Sequence, residues 1–167
     1  SYPIDYATTQ NNLGIAYADL ADVEYKEENL EKAIQSFVKS LKVFTIESYP
    51  INYATGRNNL GTAYGVLAEM RNREENLEMA IQCFVEALKI RTLESYPLDY
   101  AMTQNNLGIA YRNLAEVRDK EENLVKANHA YQEALKIFTI ESYPIYYSRV
   151  MNDIAQTRNA TSMSYQN

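Results

Sequence analysis

The sequence lacks tryptophan and has one cysteine, Cys83, and one histidine, His129. A single cysteine excludes an internal disulfide, and one cysteine with one histidine cannot supply the ligands of a zinc site. No glycine-rich phosphate-binding motif is present either. We therefore expect neither an enzyme nor a protein that binds a metal or cofactor. Cys83 occupies a repeat position held elsewhere by small residues, which predicts that it fills space in the core.

Long apolar runs and an excess of positive charge are also missing. No stretch of 18 apolar residues occurs, which excludes a transmembrane helix. The chain has 16 basic and 22 acidic residues, a net charge of −6, which argues against nucleic acid and anionic membrane surfaces as partners. The 167 residues, 46% of them hydrophobic, predict one domain over 1–167. The lone cysteine fits a reducing, cytoplasmic location.

The chain is built from repeats of 47 residues. Its four prolines all lie in Ser-Tyr-Pro triplets, which recur at that spacing, and the first and third repeats are identical at 31 of 47 positions. A period of this length is typical of solenoids and other repeat arrays. The sequence predicts three full repeats over residues 2–48, 49–95 and 96–142, a capping helix at about 143–158 and a tail at 159–167.

The first half of each repeat has helical periodicity. In the first repeat Leu13, Tyr17 and Leu20 fall at i, i+4 and i+7, which places them on one apolar stripe. Proline is favoured in the first turn of a helix, where its missing N–H costs nothing. The pattern predicts a helix from about Pro3 to Val23.

A charged segment, EYKEEN in the first repeat, follows that helix. We interpret it as a loop that ends at Asn29, because asparagine is favoured at the N-cap of a helix. Apolar residues then recur at helical spacing, which predicts a second helix from about Leu30 to Ile46. The expected fold class is all-α: an α-solenoid of antiparallel helical hairpins, with three full repeats and a C-terminal half-repeat helix.

Glycine recurs in the middle of the first helix, at Gly14, Gly61 and Gly108. A glycine there costs about 0.5–1 kcal/mol relative to alanine, so another helix is expected to approach closely at this point. Gly65 is different, because its equivalent in the third repeat is the bulky Arg112. Replacement of Gly61 by leucine is therefore predicted to be far more destabilising than replacement of Gly65 by alanine.

The recurring residues resemble the tetratricopeptide pattern. Leucine-glycine is followed by a tyrosine three residues later, then by an alanine and an aromatic residue four positions after it. The three sets are Leu13, Gly14, Tyr17, Ala33, Phe37; Leu60, Gly61, Tyr64, Ala80, Phe84; and Leu107, Gly108, Tyr111, Ala127, Tyr131. The repeat of this chain is 13 residues longer than the 34-residue unit of that family. The tryptophan that is usual in that family is replaced by Gln10, Arg57 and Gln104.

The longer unit is similar to extended tetratricopeptide arrays of archaeal and bacterial proteins, and the NNL motif is similar to kinesin light chain repeats. The resemblance implies a right-handed superhelix. It also implies a non-catalytic scaffold that binds a protein or an extended peptide in the concave groove lined by the first helix of each repeat.

A pair of asparagines precedes the leucine of each repeat. The pairs are Asn11 and Asn12, Asn58 and Asn59, and Asn105 and Asn106. Successive helical residues point about 100° apart, so the two members cannot face the same way. The resemblance implies that Asn12, Asn59 and Asn106 line the groove, where a carboxamide can both donate to and accept from a peptide main chain. Alternatively, the amides bond to neighbouring helices and satisfy polar groups between repeats.

Further groove positions are expected one and two turns along the helix. They are Ile15, Thr62, Ile109, Ala18, Gly65, Arg112, Asp19, Val66 and Asn113. Most are small or apolar, and Arg112 is the one cation. A peptide with an apolar side chain, and an acid near the third repeat, would fit this set.

A second function is open: a structural spacer or self-assembling array in which repeats of different molecules stack end to end. In the last half-repeat Ala155 replaces the glycine and Arg158 replaces the tyrosine, as in a terminal helix that faces water. This end is therefore expected to be capped, which favours a monomer with at most weak self-association.

Overall fold

The structure, a computed structural model, describes residues 2–162, with side chains described through residue 159. Within that range the chain forms seven α-helices and no strand, which confirms the all-α prediction. The helices are α1 (Tyr2–Ala21), α2 (Lys26–Leu41), α3 (Pro50–Leu67), α4 (Arg73–Leu88), α5 (Pro97–Leu114), α6 (Lys120–Leu135) and α7 (Pro144–Ser162). The predicted tail covers residues 159–167. Its first four residues, 159–162, belong to α7, and residues 163–167 lie outside the described residues.

The chain divides into two compact units, Ser1–Ile90 and Arg91–Asn167. In the first unit each helix packs against the next, and α1 also touches α3. In the second unit α5 packs on α6, α6 packs on α7, and α5 touches α7. Each unit has its own apolar cluster, built around Phe37 and Leu60 in the first and around Tyr131 and Ile154 in the second. The single domain and the continuous solenoid stay predictions.

The second helix of each repeat begins earlier than the sequence pattern predicts. It starts at Lys26 rather than Leu30 in the first repeat, so the segment EYKEEN is mostly helix and Asn29 is not the N-cap. The acidic residues Glu27 and Glu28 lie in the first turn, where the positive end of the helix dipole favours negative charge. The N-cap residues have a left-handed backbone conformation, with φ of 46° at Tyr25, 45° at Asn72 and 46° at Asp119.

The asparagine that was expected to cap the helix is instead buried in its first turn. The side-chain Nδ2 of Asn29 donates to the carbonyl of Glu24 at 2.8 Å, and the same bond recurs from Asn76 to Arg71 and from Asn123 to Arg118. The amide therefore ties the turn between the two helices to the second helix. One repeated polar residue thus supports each hairpin from within.

The mid-helix glycines lie directly against the aromatic residue of the second helix. A Cβ atom built on Gly14 would be 2.5 Å from Cε1 of Phe37, and one on Gly61 would be 2.8 Å from Cε1 of Phe84. Gly108 meets Tyr131 in the same way, at 2.5 Å. These contacts identify the second helix of the same repeat as the element that requires glycine.

The first and last helices differ in the faces that they leave open. On α1 Leu13 is 38% exposed, whereas its equivalent Leu60 on α3 is 3% exposed because α2 covers it. On α7 the corresponding residue Ile154 is buried against α6. On α7 Ala155 and Arg158 are exposed. That α7 caps the repeats stays a prediction.

Candidate peptide-binding groove

A cavity of about 260 Å³ lies between α1 and α3 in the first unit. We call it the α1–α3 cavity. Two stripes of four residues at i, i+3, i+4 and i+7 line it. The first is Ile15, Ala18 and Asp19 on α1 with Asp22 in the turn that follows α1, and the second is Asn59, Thr62, Ala63 and Val66 on α3. The structure thus brings together six residues that the sequence predicts for the groove: Ile15, Ala18, Asp19, Asn59, Thr62 and Val66.

The floor of the α1–α3 cavity is apolar and comes from α2. Leu30 and Phe37 line it, and both are almost completely buried. Phe37 reaches this position because Gly14 leaves room for its ring. The recurring glycine therefore supports the candidate site as well as the core.

The rim of the α1–α3 cavity is polar and acidic. Thr62 is turned toward its own helix, since its Oγ1 donates to the carbonyl of Asn58 at 3.1 Å. Asp19 and Asp22 are exposed, and within residues 2–162 neither carboxylate accepts a hydrogen bond from another side chain or forms an ion pair. Two unpaired negative charges thus flank an apolar floor.

The equivalent position between α5 and α7, in the second unit, is occupied by a side chain of the chain itself. The Arg112 guanidinium on α5 donates from Nη1 to Asp153 Oδ1 and, at 3.1 Å, to Gln156 Oε1 on α7. In the 47-residue register Arg112 corresponds to Ala18, and Asp153 corresponds to Asn59. The cation that we expected to face a ligand is therefore bound to the last helix.

The floor beneath this ion pair is Tyr131, the equivalent of Phe37. Burial raises the pKa of Tyr131 well above its usual range, the positive charge of Arg112 opposes the rise, and the negative charge of Asp153 adds to it. The two charges thus act on a buried aromatic ring at the position equivalent to the α1–α3 cavity of the first unit.

The two members of each asparagine pair have different surroundings. The Oδ1 atoms of Asn11 and Asn105 are buried, and neither has a hydrogen-bond partner within the described part of the chain. Asn58 is half-buried as well. Of the second members, Asn12 is exposed on α1 outside the α1–α3 cavity, and the half-buried Asn59 lines the cavity.

The remaining predicted residues lie on α5, in the second unit. Asn106, Ile109 and Asn113 are half-buried there. They share the helix with Arg112, whose partners on α7 are described above. These residues belong to the second unit, whereas the α1–α3 cavity belongs to the first.

The sequence does not predict several residues of the α1–α3 cavity and of the contact between α5 and α7. Asp22 follows Asp19 by three positions, so the helical period could have identified it. Asp153 and Gln156 occupy the repeat positions of Asn106 and Ile109, and the comparison of positions could have shown a carboxylate where the other repeats have an amide. The floor residues were expected, but only as core.

Other chemistry is limited in the described residues. No group of three or more His, Cys, Asp or Glu side chains between residues 2 and 162 is close enough to hold a metal ion. No helix in the described part is long and apolar enough to cross a membrane. Cys83 is buried in the core of the first unit, and that burial raises the pKa of its thiol. A buried thiol with a raised pKa is unreactive.

Comparisons with protein families, with curated proteins and with solved structures found no match to this chain.

Proposed function

We propose that the chain is a non-catalytic scaffold of the tetratricopeptide type that binds an extended segment of a partner protein. The binding surface is the groove between the first helices of successive repeats, and the repeats stack into a superhelix. The observation that carries this proposal is the α1–α3 cavity, where two facing stripes, which include six residues predicted to line a groove, enclose an apolar floor.

The dimensions and lining of the α1–α3 cavity suit a side chain of a partner. Its volume of about 260 Å³ is slightly below the range of small-molecule pockets. Asn59 at the rim offers an amide donor and an acceptor for the main chain of the bound segment. An apolar side chain buried over Leu30 and Phe37 contributes about 1.5–3 kcal/mol.

One such contact supports only weak binding. Each hydrogen bond to an asparagine adds about 0.5–1.5 kcal/mol net, and the ordering of the bound segment opposes it. High affinity therefore requires that a partner contact several repeats at once, and Asn106 supplies the same amide in the third repeat. The proposed array of repeats meets that requirement.

A peptide selection with a matched pair of variants tests this function. Peptides of 12 residues are selected on the chain from a random phage-displayed library, and their affinity is measured by fluorescence anisotropy. Ala18→Trp fills the α1–α3 cavity and is expected to abolish binding. Ala16→Trp adds the same ring at an exposed position outside the cavity and is expected to leave binding intact. Selected peptides that bind both variants equally well would rule out the cavity as the site.

A second function, end-to-end assembly, is favoured by the open face of α1. Leu13 and Leu20 are each 38% exposed, whereas their equivalents on α3, Leu60 and Leu67, are 3% and 4% exposed beneath α2. An exposed apolar face of this kind is typical of a surface that another element covers. A helix of a second molecule is the proposed cover in this function.

Sedimentation velocity over a range of concentrations tests the assembly. If α1 mediates it, the sedimentation coefficient rises with concentration, and Leu13→Glu with Leu20→Lys removes the rise. Val125→Glu, at an exposed apolar residue of α6, is the control and leaves the rise unchanged. A monomer at all concentrations would exclude the array.

A further inference from the structure

The two equivalent grooves of the chain differ in what fills them. Between α5 and α7 the Arg112 side chain crosses from one helix to the other and binds Asp153 and Gln156. In the α1–α3 cavity the position of Arg112 is held by Ala18, which is too short to cross. The second unit thus contains an internal arginine at the place where the first unit has open space.

The charges around the α1–α3 cavity complement such a cation. Asp19 lies in the last turn of α1 and Asp22 in the turn that follows the helix, and no cation pairs with either of them within the described residues. A carboxylate is the preferred partner of a guanidinium, which binds it through two parallel hydrogen bonds. The apolar floor suits the aliphatic part of an arginine side chain, and the ring of Phe37 suits its planar end.

We propose that the α1–α3 cavity binds an arginine side chain from an extended segment of a partner protein, in the position that Arg112 takes in the second unit. This inference rests on the proposed function. It also reverses the charge that the sequence predicts for the ligand, because the cation on α5 already has a carboxylate partner. Arginine is preferred to lysine, since only the guanidinium reproduces the bonds of Arg112 to a carboxylate and an amide oxygen.

The first experiment compares three pools of fluorescent nonapeptides. The pools have random flanking residues and a central residue that is arginine, its neutral isostere citrulline, or glutamate. The arginine pool is expected to bind at least about threefold more tightly than the citrulline pool in low salt, with a smaller difference at 0.5 M salt. The glutamate pool is expected to bind most weakly.

Neutral variants assign the preference to the two carboxylates. Asp19→Asn with Asp22→Asn is expected to bind the arginine and citrulline pools equally. Glu24→Gln with Glu47→Gln removes two exposed carboxylates of the same unit that lie outside the cavity, so it changes the net charge by the same amount. It is expected to keep the preference for arginine.

A third variant copies the internal arginine into the first unit. Ala18→Arg with Asn59→Asp and Thr62→Gln reproduces Arg112, Asp153 and Gln156 and is expected to close the cavity without loss of thermal stability. Binding of all pools is then expected to fall below detection. Circular dichroism confirms that the variant is folded.

The outcomes separate this inference from the proposed function. If the closed variant loses binding but the three pools bind the natural chain equally well, the cavity is the site and the preference for arginine is wrong. If no pool binds, or if binding survives in the closed and folded variant, both are wrong. A preference for arginine that Asp19→Asn with Asp22→Asn leaves unchanged also overturns the inference, because the cation then binds elsewhere.

Discussion

Gly61 and Gly65 lie one turn apart on the same helix and show how one contact decides the cost of a side chain. A Cβ atom on Gly61 would meet Phe84 at 2.8 Å and the carbonyl of Ala80 at 3.1 Å, whereas one on Gly65 would meet nothing within 4 Å. The sequence could predict this difference, because the equivalents of Gly61 in the other full repeats are glycines and those of Gly65 are not.

Matched alanine substitutions are expected to have opposite effects on stability. Gly61→Ala should lower the free energy of unfolding by about 1–3 kcal/mol, because the methyl group overpacks the contact with Phe84. Gly65→Ala should raise it by about 0.5–1 kcal/mol, since alanine is the better helix former and has open space there. Urea denaturation measures both values, and a loss of stability in both variants would contradict the contact with α4.

Tyr25 has a strained backbone conformation at the start of α2. Its φ is 46° and its ψ is 48°, and its side chain is exposed. Left-handed geometry costs a residue with an ordinary side chain about 1–2 kcal/mol, whereas asparagine and aspartate tolerate it. The other repeats place Asn72 and Asp119 at this position. Asparagine and aspartate at this position favour the left-handed conformation in two repeats, whereas the tyrosine of the first repeat does not indicate it.

Tyr25→Asn is therefore expected to raise the free energy of unfolding by about 0.5–1 kcal/mol. Tyr25→Ala keeps the unfavourable conformation and should give no gain. Thermal unfolding of the two variants provides the measurement. An equal gain in both would show that the exposed ring, and not the backbone, is the source of the effect.

At the scale of the helices, a polar contact joins α5 to α6. The Tyr100 hydroxyl donates to Glu133 Oε2 at 2.6 Å, and Lys136 Nζ lies 2.7 Å from the same oxygen. The bond from Lys136, and then the bond from Tyr100, hold the pKa of Glu133 below its usual range. Burial and the bond to Glu133 raise the pKa of Tyr100 to about 12.

These shifts predict how stability depends on pH. Because the pKa of Glu133 is lower in the folded chain, its contribution is present above its unfolded pKa of about 4.3 and is lost as the pH falls through the folded value. Glu133→Gln should cost about 0.5–1 kcal/mol at pH 7 and much less at pH 3. Melting temperatures between pH 7 and pH 3 test this, with Glu47→Gln as the exposed control; a cost that is the same at both pH values would contradict it.

The helix boundaries show where sequence reasoning was limited. The proline in the first turn identified the start of α3 and α5. The pattern misplaces the start of α2, because acidic residues before Asn29 are typical of a solvated loop, although the helix dipole also favours them in a first turn. Asparagine is favoured at an N-cap, whereas the structure uses the side chain of Asn29 inside the hairpin.

At the scale of the whole molecule, the 47-residue period made most of the candidate site predictable. Six of the predicted residues line the α1–α3 cavity, because equivalent positions of a repeat share one helix face. The ion pair of Arg112 with Asp153 was not predicted. Both residues differ from those at the equivalent positions of the other repeats, and the pair forms only because both differ. Comparison of the differences between repeats, in addition to their common pattern, was needed to see it.

The most direct test of the account is to locate a bound peptide by methyl NMR. The chain is labelled at the methyl groups of isoleucine, leucine and valine and titrated with the arginine pool. We predict that the methyl signals of Ile15, Leu30 and Val66, which line the α1–α3 cavity, change chemical shift in proportion to the bound fraction, while those of the exposed Val125 and Ile140 do not. Saturation of binding with the cavity methyl signals unmoved would contradict it.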